Sequence, residues 1–131
     1  MTRINCGIPS AELVDMHLLA EHREIKRIPN CIKKGKYKLD NIPDNFKLGT
    51  GHVKFFYNKL KYLHRRYISL YLECRARGFN VTNFEECFDN LPKELYNEYV
   101  PTPKDRLIIR KRINLRIKEY NFKKNKTKKH D

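Results

Sequence analysis

Gly49-Thr50-Gly51-His52-Val53-Lys54-Phe55-Phe56-Tyr57-Asn58-Lys59-Leu60 opens the longest helical pattern in the chain, which runs on to Arg77. Its apolar residues continue through Tyr62, Leu63, Tyr67, Ile68, Leu70, Tyr71, Leu72 and Cys74. Gly78 follows, the residue type that ends helices in the left-handed conformation. The apolar positions spread around much of this helix rather than along one stripe. A helix of that kind is expected to be central and covered by neighbours. Its aromatic residues are therefore expected to fill a core rather than to stack on bases.

The flanking segments are helical as well. Pro9-Ser10 precedes a pattern from about Ala11 to Arg27, with Ser10 placed to cap it and Pro29 to close it. Val14, Leu18 and Ile25 fall together on its wheel as a core face. Residues 30–50 hold Gly35, Pro43, Gly49 and four lysines between Lys33 and Lys38, and read as a long basic loop. A short helix is expected near Pro92–Tyr96. Thr102-Pro103-Lys104-Asp105 places Thr at the cap, Pro at the first helical position and an acid at the third. That helix is expected to run to about Lys118, burying Leu107, Ile109, Ile113 and Ile117. Tyr120 to Asp131 shows no periodicity and is expected to be a flexible lysine-rich tail that gains order on DNA. The reading is therefore all-α, with one domain over residues 1–118 and a tail over 119–131.

The 131 residues are 40% hydrophobic, with 8 Tyr and 7 Phe, enough for one modest core. The mean hydropathy of −0.78 and the lack of any apolar run near the roughly 18 residues of a spanning helix exclude an integral helical membrane protein. The opening Met1-Thr2-Arg3-Ile4-Asn5 is not the apolar stretch of a secretory signal, so an intracellular, non-secreted protein is expected. Cys6, Cys31, Cys74 and Cys87 have no metal-binding spacing and are read as reduced thiols.

Twenty-nine Lys and Arg against 15 Asp and Glu leave a net charge of +14. Residues 101–131 carry twelve of those cations and only three acids. The usual partner of such a field is nucleic acid. On the first helix Leu13, His17, Ala20 and Glu24 form one strip, with Arg23 and Arg27 beside it. A carboxylate amid cations repels phosphate, so DNA binding alone gives no reason for Glu24. The plain alternative is an intrahelical ion pair among Glu21, Glu24 and Arg27. On the last helix Arg112 and Arg116 share a face. Templates for serine hydrolases, phosphate-binding loops and zinc proteases are absent, and no carboxylate frame supports a metal.

Thr2-Arg3-Ile4-Asn5, Asp15 to His17, Glu21 to Arg27, Leu48 to Leu60, Glu73-Cys74 and Arg77-Gly78-Phe79-Asn80 together resemble the phage endonuclease V family. These are pyrimidine dimer DNA glycosylases with an abasic-site lyase activity. The likeness covers residues 2 to about 118, with the loops at 30–46 and 82–100 diverging. It implies three main helices with the N-terminal segment threaded between them, and a monomer acting on damaged double-stranded DNA without metal or organic cofactor. It implies that Thr2, exposed by removal of Met1, supplies an α-amino nucleophile and that Glu24 is the catalytic carboxylate. Arg3, His17, Arg23, Arg27, Arg112 and Arg116 match positions that contact DNA or line the site. His22 stands where the family has tyrosine and Met16 where it has glutamine. The family's aromatic C-terminus is replaced by Tyr120-Asn121-Phe122 and lysines, which bears on lesion choice. Two alternatives stand beside this reading: a relative of altered lesion range, mainly an abasic-site lyase, and a non-catalytic basic DNA-binding protein.

Overall fold

The computed structural model describes residues 2–128, with side chains through Lys124. Met1 and residues 129–131 lie outside the described residues, and with them the expected loss of Met1 and the end of the expected tail. Among the described residues the α-helices are α1 Asp15–Glu24, α2 Arg27–Lys33, α3 His52–Phe55, α4 Leu60–Ala76 and α5 Pro103–Lys128. No strand occurs among them, and no helix is long and apolar enough to cross a membrane. Short 3-10 turns lie at Ser10–Glu12, Glu85–Phe88 and Lys93–Leu95.

α4 is the hub. Leu60, Leu63, Tyr67, Leu70 and Cys74 are each at most 1% exposed. Their spacing of three and four residues makes one buried stripe. Tyr62 and Arg66 flank it, also buried, while Ile68 and Leu72 face solvent. The all-round burial expected for this helix is thus corrected to a single face. The cap beyond it is the expected one. Gly78 sits at φ +87°, the Phe79 amide donates to Cys74 carbonyl at 2.9 Å, and the Gly78 amide donates to Arg75 carbonyl at 3.0 Å. That is the paired arrangement of a Schellman end.

Three other expected helix limits are corrected. The pattern from His52 to Arg77 is two helices. The Lys59 ammonium donates to Phe55 carbonyl and to Asn58 Oδ1, both at 2.9 Å, and its backbone leaves the helical region at φ −132°. Ser10 does not cap α1, because its hydroxyl is engaged with Ser69 on α4. α1 starts instead at Asp15, whose carboxylate takes Arg77 at 2.8 Å. Val14, expected in the core, is half-exposed at that start, while Leu18 and Ile25 are fully buried. Pro29 does not end the helix either. It stands in the first turn of α2, where its missing N–H removes no intrahelical bond.

The Thr102 start is realised in full. The Asp105 amide donates to Thr102 Oγ1 at 3.1 Å, and the Thr102 amide donates to Asp105 Oδ2 at 3.0 Å. Tyr99 closes the motif by donating to the same carboxylate. α5 then buries Ile109 and packs Ile113, but leaves Leu107 exposed. Its backbone stays helical past Lys118 as far as Lys128, ten residues beyond the expected end.

The N-terminal segment is non-helical and turns at Cys6-Gly7, where the Ile8 amide donates to the Asn5 carbonyl at 3.2 Å. Ile4, Cys6 and Ile8 are each at most 1% exposed. Its polar groups bond to side chains of α1, α3, α4 and α5 rather than to a neighbouring strand. Gly7 at φ +81° lets it pass the start of α5; a Cβ there would come within 2.7 Å of Arg106 Cγ. The four cysteines are free.

Candidate active site

A small pocket lies between the N-terminal segment, α1 and α5. It is lined by Arg3, Asn5, His17, Ala20, Glu21, Glu24, Arg112, Ile113 and Arg116. The strip read from α1 supplies His17, Ala20 and Glu24. The face read from α5 supplies Arg112 and Arg116. Folding brings these two faces together around Arg3 and Asn5. The free space inside is about 30 Å³, room for water and not for a sugar ring.

Glu24 is held from both sides. Its Oε1 accepts the Arg3 amide at 3.0 Å, and its Oε2 lies 3.9 Å from Arg23 Nη2. The Glu24 side chain is 12% exposed, that of Arg23 61%. The ion-pair partner of Glu24 is thus Arg23 and not Arg27, which is exposed and does not line the pocket. Thr2 is half-buried and one residue before the amide that Glu24 holds.

Glu21 serves a different purpose. Only 1% exposed, it receives Arg66 of α4 through Nε at 2.7 Å and Nη2 at 2.9 Å, and Asn5 Nδ2 at 2.8 Å. The same guanidinium donates to the Ile8 carbonyl. Asn5 Oδ1 in turn accepts Arg112 Nη2 at 2.9 Å. The chain Arg66, Glu21, Asn5, Arg112 ties α4, α1, the N-terminal segment and α5 into one buried network. Removing one partner of such a pair typically costs roughly 3–5 kcal/mol, because the other charge is left buried alone.

The pocket's field is positive. Burial and then Arg112, Arg116 and Arg3 push His17 below its ordinary pKa, so its ring is neutral near pH 7. His17 Nδ1 is buried and has no hydrogen-bond partner among the described residues. Burial and then Arg3 also disfavour the charge on Arg112, against Glu21 and Glu24, which favour it. Such a site favours an anion and holds one carboxylate, Glu24, at its wall.

Asn5 and Arg66 escaped the sequence reading as site-forming residues. Their one available signal is Arg66, a cation embedded in an apolar helix pattern, which implies a buried counter-charge somewhere in the fold. Residues 1–86 match the family model described as pyrimidine dimer DNA glycosylase. The match holds Thr2, Arg3, His17, Arg23, Glu24 and Arg27, whereas Arg112, Ile113 and Arg116 of the pocket wall lie beyond it.

Proposed function

The chain belongs to the pyrimidine dimer DNA glycosylase family, and from that premise we propose a DNA repair enzyme with two linked activities. It excises pyrimidine dimers from damaged double-stranded DNA and opens the strand at the abasic site, using the α-amino group of Thr2 once Met1 is removed. The observation that carries this reading is the 3.0 Å bond from the Arg3 amide to Glu24. It holds the start of the processed chain beside the pocket carboxylate that no buried ion pair has taken.

An α-amino group has an ordinary pKa of about 7.7–8.0, against about 10.4 for lysine. The unprotonated nitrogen bonds to the anomeric carbon as the glycosidic bond breaks, and that electron pair leaves with the base. The transition state resembles an oxocarbenium ion, which Glu24 stabilises. Sugar-ring opening gives a Schiff base. Loss of a C2′ proton then expels the 3′ phosphate, with Glu24 relaying the proton, and water hydrolyses the imine to restore the amine. Arg3, Arg23, Arg27, Arg112 and Arg116 hold phosphates, and the chain acts as a monomer. Extrusion of a nucleotide costs a few kcal/mol, least where damage has weakened pairing.

Borohydride trapping on dimer-containing duplex, read by intact mass, tests the reading. The expected product is a covalent adduct on the chain lacking Met1. Glu24→Gln is expected to keep or slightly tighten DNA binding while turnover falls by orders of magnitude. A rate within about threefold of wild type removes Glu24 from the chemistry. Because Tyr120-Asn121-Phe122 and lysines replace the family's aromatic C-terminus, lesion range is the feature most open to change. Trapping on abasic-site duplex but not on dimers identifies the chain as mainly a lyase, and stable binding with no trapping on either identifies a DNA-binding protein without catalysis.

A further inference from the structure

The N-terminal segment meets a histidine that the proposed chemistry does not use. His52, the first residue of α3, is 4% exposed and packs against the edges of Phe46 and Phe56. Its Nε2 lies 3.0 Å from the Ile4 amide nitrogen, and its Nδ1 lies 2.9 Å from the Lys47 carbonyl oxygen. A backbone amide can only donate and a carbonyl oxygen can only accept. The two partners therefore dictate one ring state: neutral, with the proton on Nδ1 given to Lys47 and the Nε2 lone pair accepting from Ile4. Imidazolium would set N–H against N–H. Burial and the Arg112 cation oppose that charge, against the Lys47 carbonyl and Glu21, which favour it.

Consecutive amides of the segment are thus fixed by side chains from two helices, Arg3 by Glu24 of α1 and Ile4 by His52 of α3. Without the second bond, the position of Thr2 rests on the bond from the Arg3 amide to Glu24 and on the packing of the buried Ile4. We propose that His52 is a positioning residue for the Thr2 amine: through the Ile4 amide, its neutral ring sets where the nucleophile stands relative to Glu24. This rests on the Thr2 reading above. Misplacement of a reacting group by about 1 Å costs up to about a hundredfold in rate, so the bond acts on the chemical step and not on DNA affinity.

The experiment compares single-turnover borohydride trapping and duplex affinity for wild type, His52→Gln and His52→Phe. Gln places an amide oxygen near the Nε2 position; Phe keeps the ring and its edge contacts but accepts nothing. The expected result is Gln within about threefold of wild type and Phe slower by about tenfold or more, with equal affinities and native circular dichroism. Phe trapping at the wild-type rate overturns the proposal, as does Gln falling as far as Phe. Nitrogen NMR of wild-type histidines supplies a reading that needs no variant and decides if His52→Phe does not fold. The Nδ1–H form with an accepting Nε2 supports the proposal, and a proton on Nε2 overturns it. Failure of wild type itself to trap refutes the Thr2 reading and leaves the NMR result to judge His52 alone.

Discussion

Arg112 and Arg116 lie four residues apart on α5, yet the fold gives them different work. Arg116 is exposed at the pocket mouth, while Arg112 is half-buried and bonded to Asn5. Arg116→Ala is expected to lower the salt slope of DNA binding by about one and leave low-salt trapping within about threefold. Arg112→Ala is expected to lower the slope and also slow trapping, because Asn5 loses the partner that steadies the N-terminal segment. An unchanged slope in the folded double variant shows that neither cation meets a phosphate. At Thr2 the chemistry resides in the backbone nitrogen. Thr2→Ser and Thr2→Ala are expected to keep activity, since both permit Met1 removal and present a primary amine. Thr2→Pro is expected to impair it, the ring nitrogen being secondary and crowded. Acetylation of the terminus is expected to abolish trapping, and an acetylated chain that still traps places the nucleophile elsewhere. The strip holding His17, Ala20 and Glu24 was legible in the sequence because helix periodicity fixes which side chains share a side. The partner of Glu24 was not: the i,i+3 spacing of a continuous helix favours Arg27, but α1 ends at Glu24 and the carboxylate lies instead 3.9 Å from the adjacent Arg23.

Helix ends divide into those set by local chemistry and those set by distant contacts. The Thr102 cap and the Gly78 stop are built from residues within five positions of one another, so reading them needs only the sequence. Ser10 would cap in isolation, but its hydroxyl is drawn to Ser69, 59 residues away. Val14 and Leu107 suit a core face by pattern and stand exposed because nothing packs over them. α5 continues past the globular part to Lys128 with exposed side chains from Lys118 through Lys124. On the proposed reading, Lys118, Lys123 and Lys124 extend the positive field of Arg112 and Arg116 along this helix. Truncation after Lys118 is expected to weaken duplex binding and flatten its salt dependence while low-salt, single-turnover cleavage stays nearly intact. Cleavage lost with binding preserved instead assigns Tyr120 or Phe122 a contact at the lesion.

At the scale of the molecule, buried titratable groups bracket stability from both sides. His17, His22 and His52 all titrate below their ordinary 6.5 in the folded chain, each mainly through burial. Below pH 6.5 the unfolded chain binds protons that the folded chain refuses, so stability falls as pH drops toward the folded values. Burial raises Cys6 from 9.0 to about 12 and Cys87 from 9.0 to about 11. Above pH 9.0 the unfolded thiols ionise first, and stability falls again. Thermal melts under reducing conditions are expected to show a Tm plateau between these limits and losses beyond each. A Tm that climbs as pH falls below 6.5 contradicts burial of the imidazoles. The all-α class, the α5 cap, the Gly78 stop and the strip around Glu24 follow from spacings within a few residues, and the positive field follows from the charge count. That Glu21 belongs to Arg66, that Asn5 joins Glu21 to Arg112 and that His52 holds Ile4 emerged only with folding. Those contacts span 16 to 107 residues. A buried charge or amide requires a partner without dictating where in the chain that partner lies, and packing of α1, α4 and α5 around the N-terminal segment made the choice.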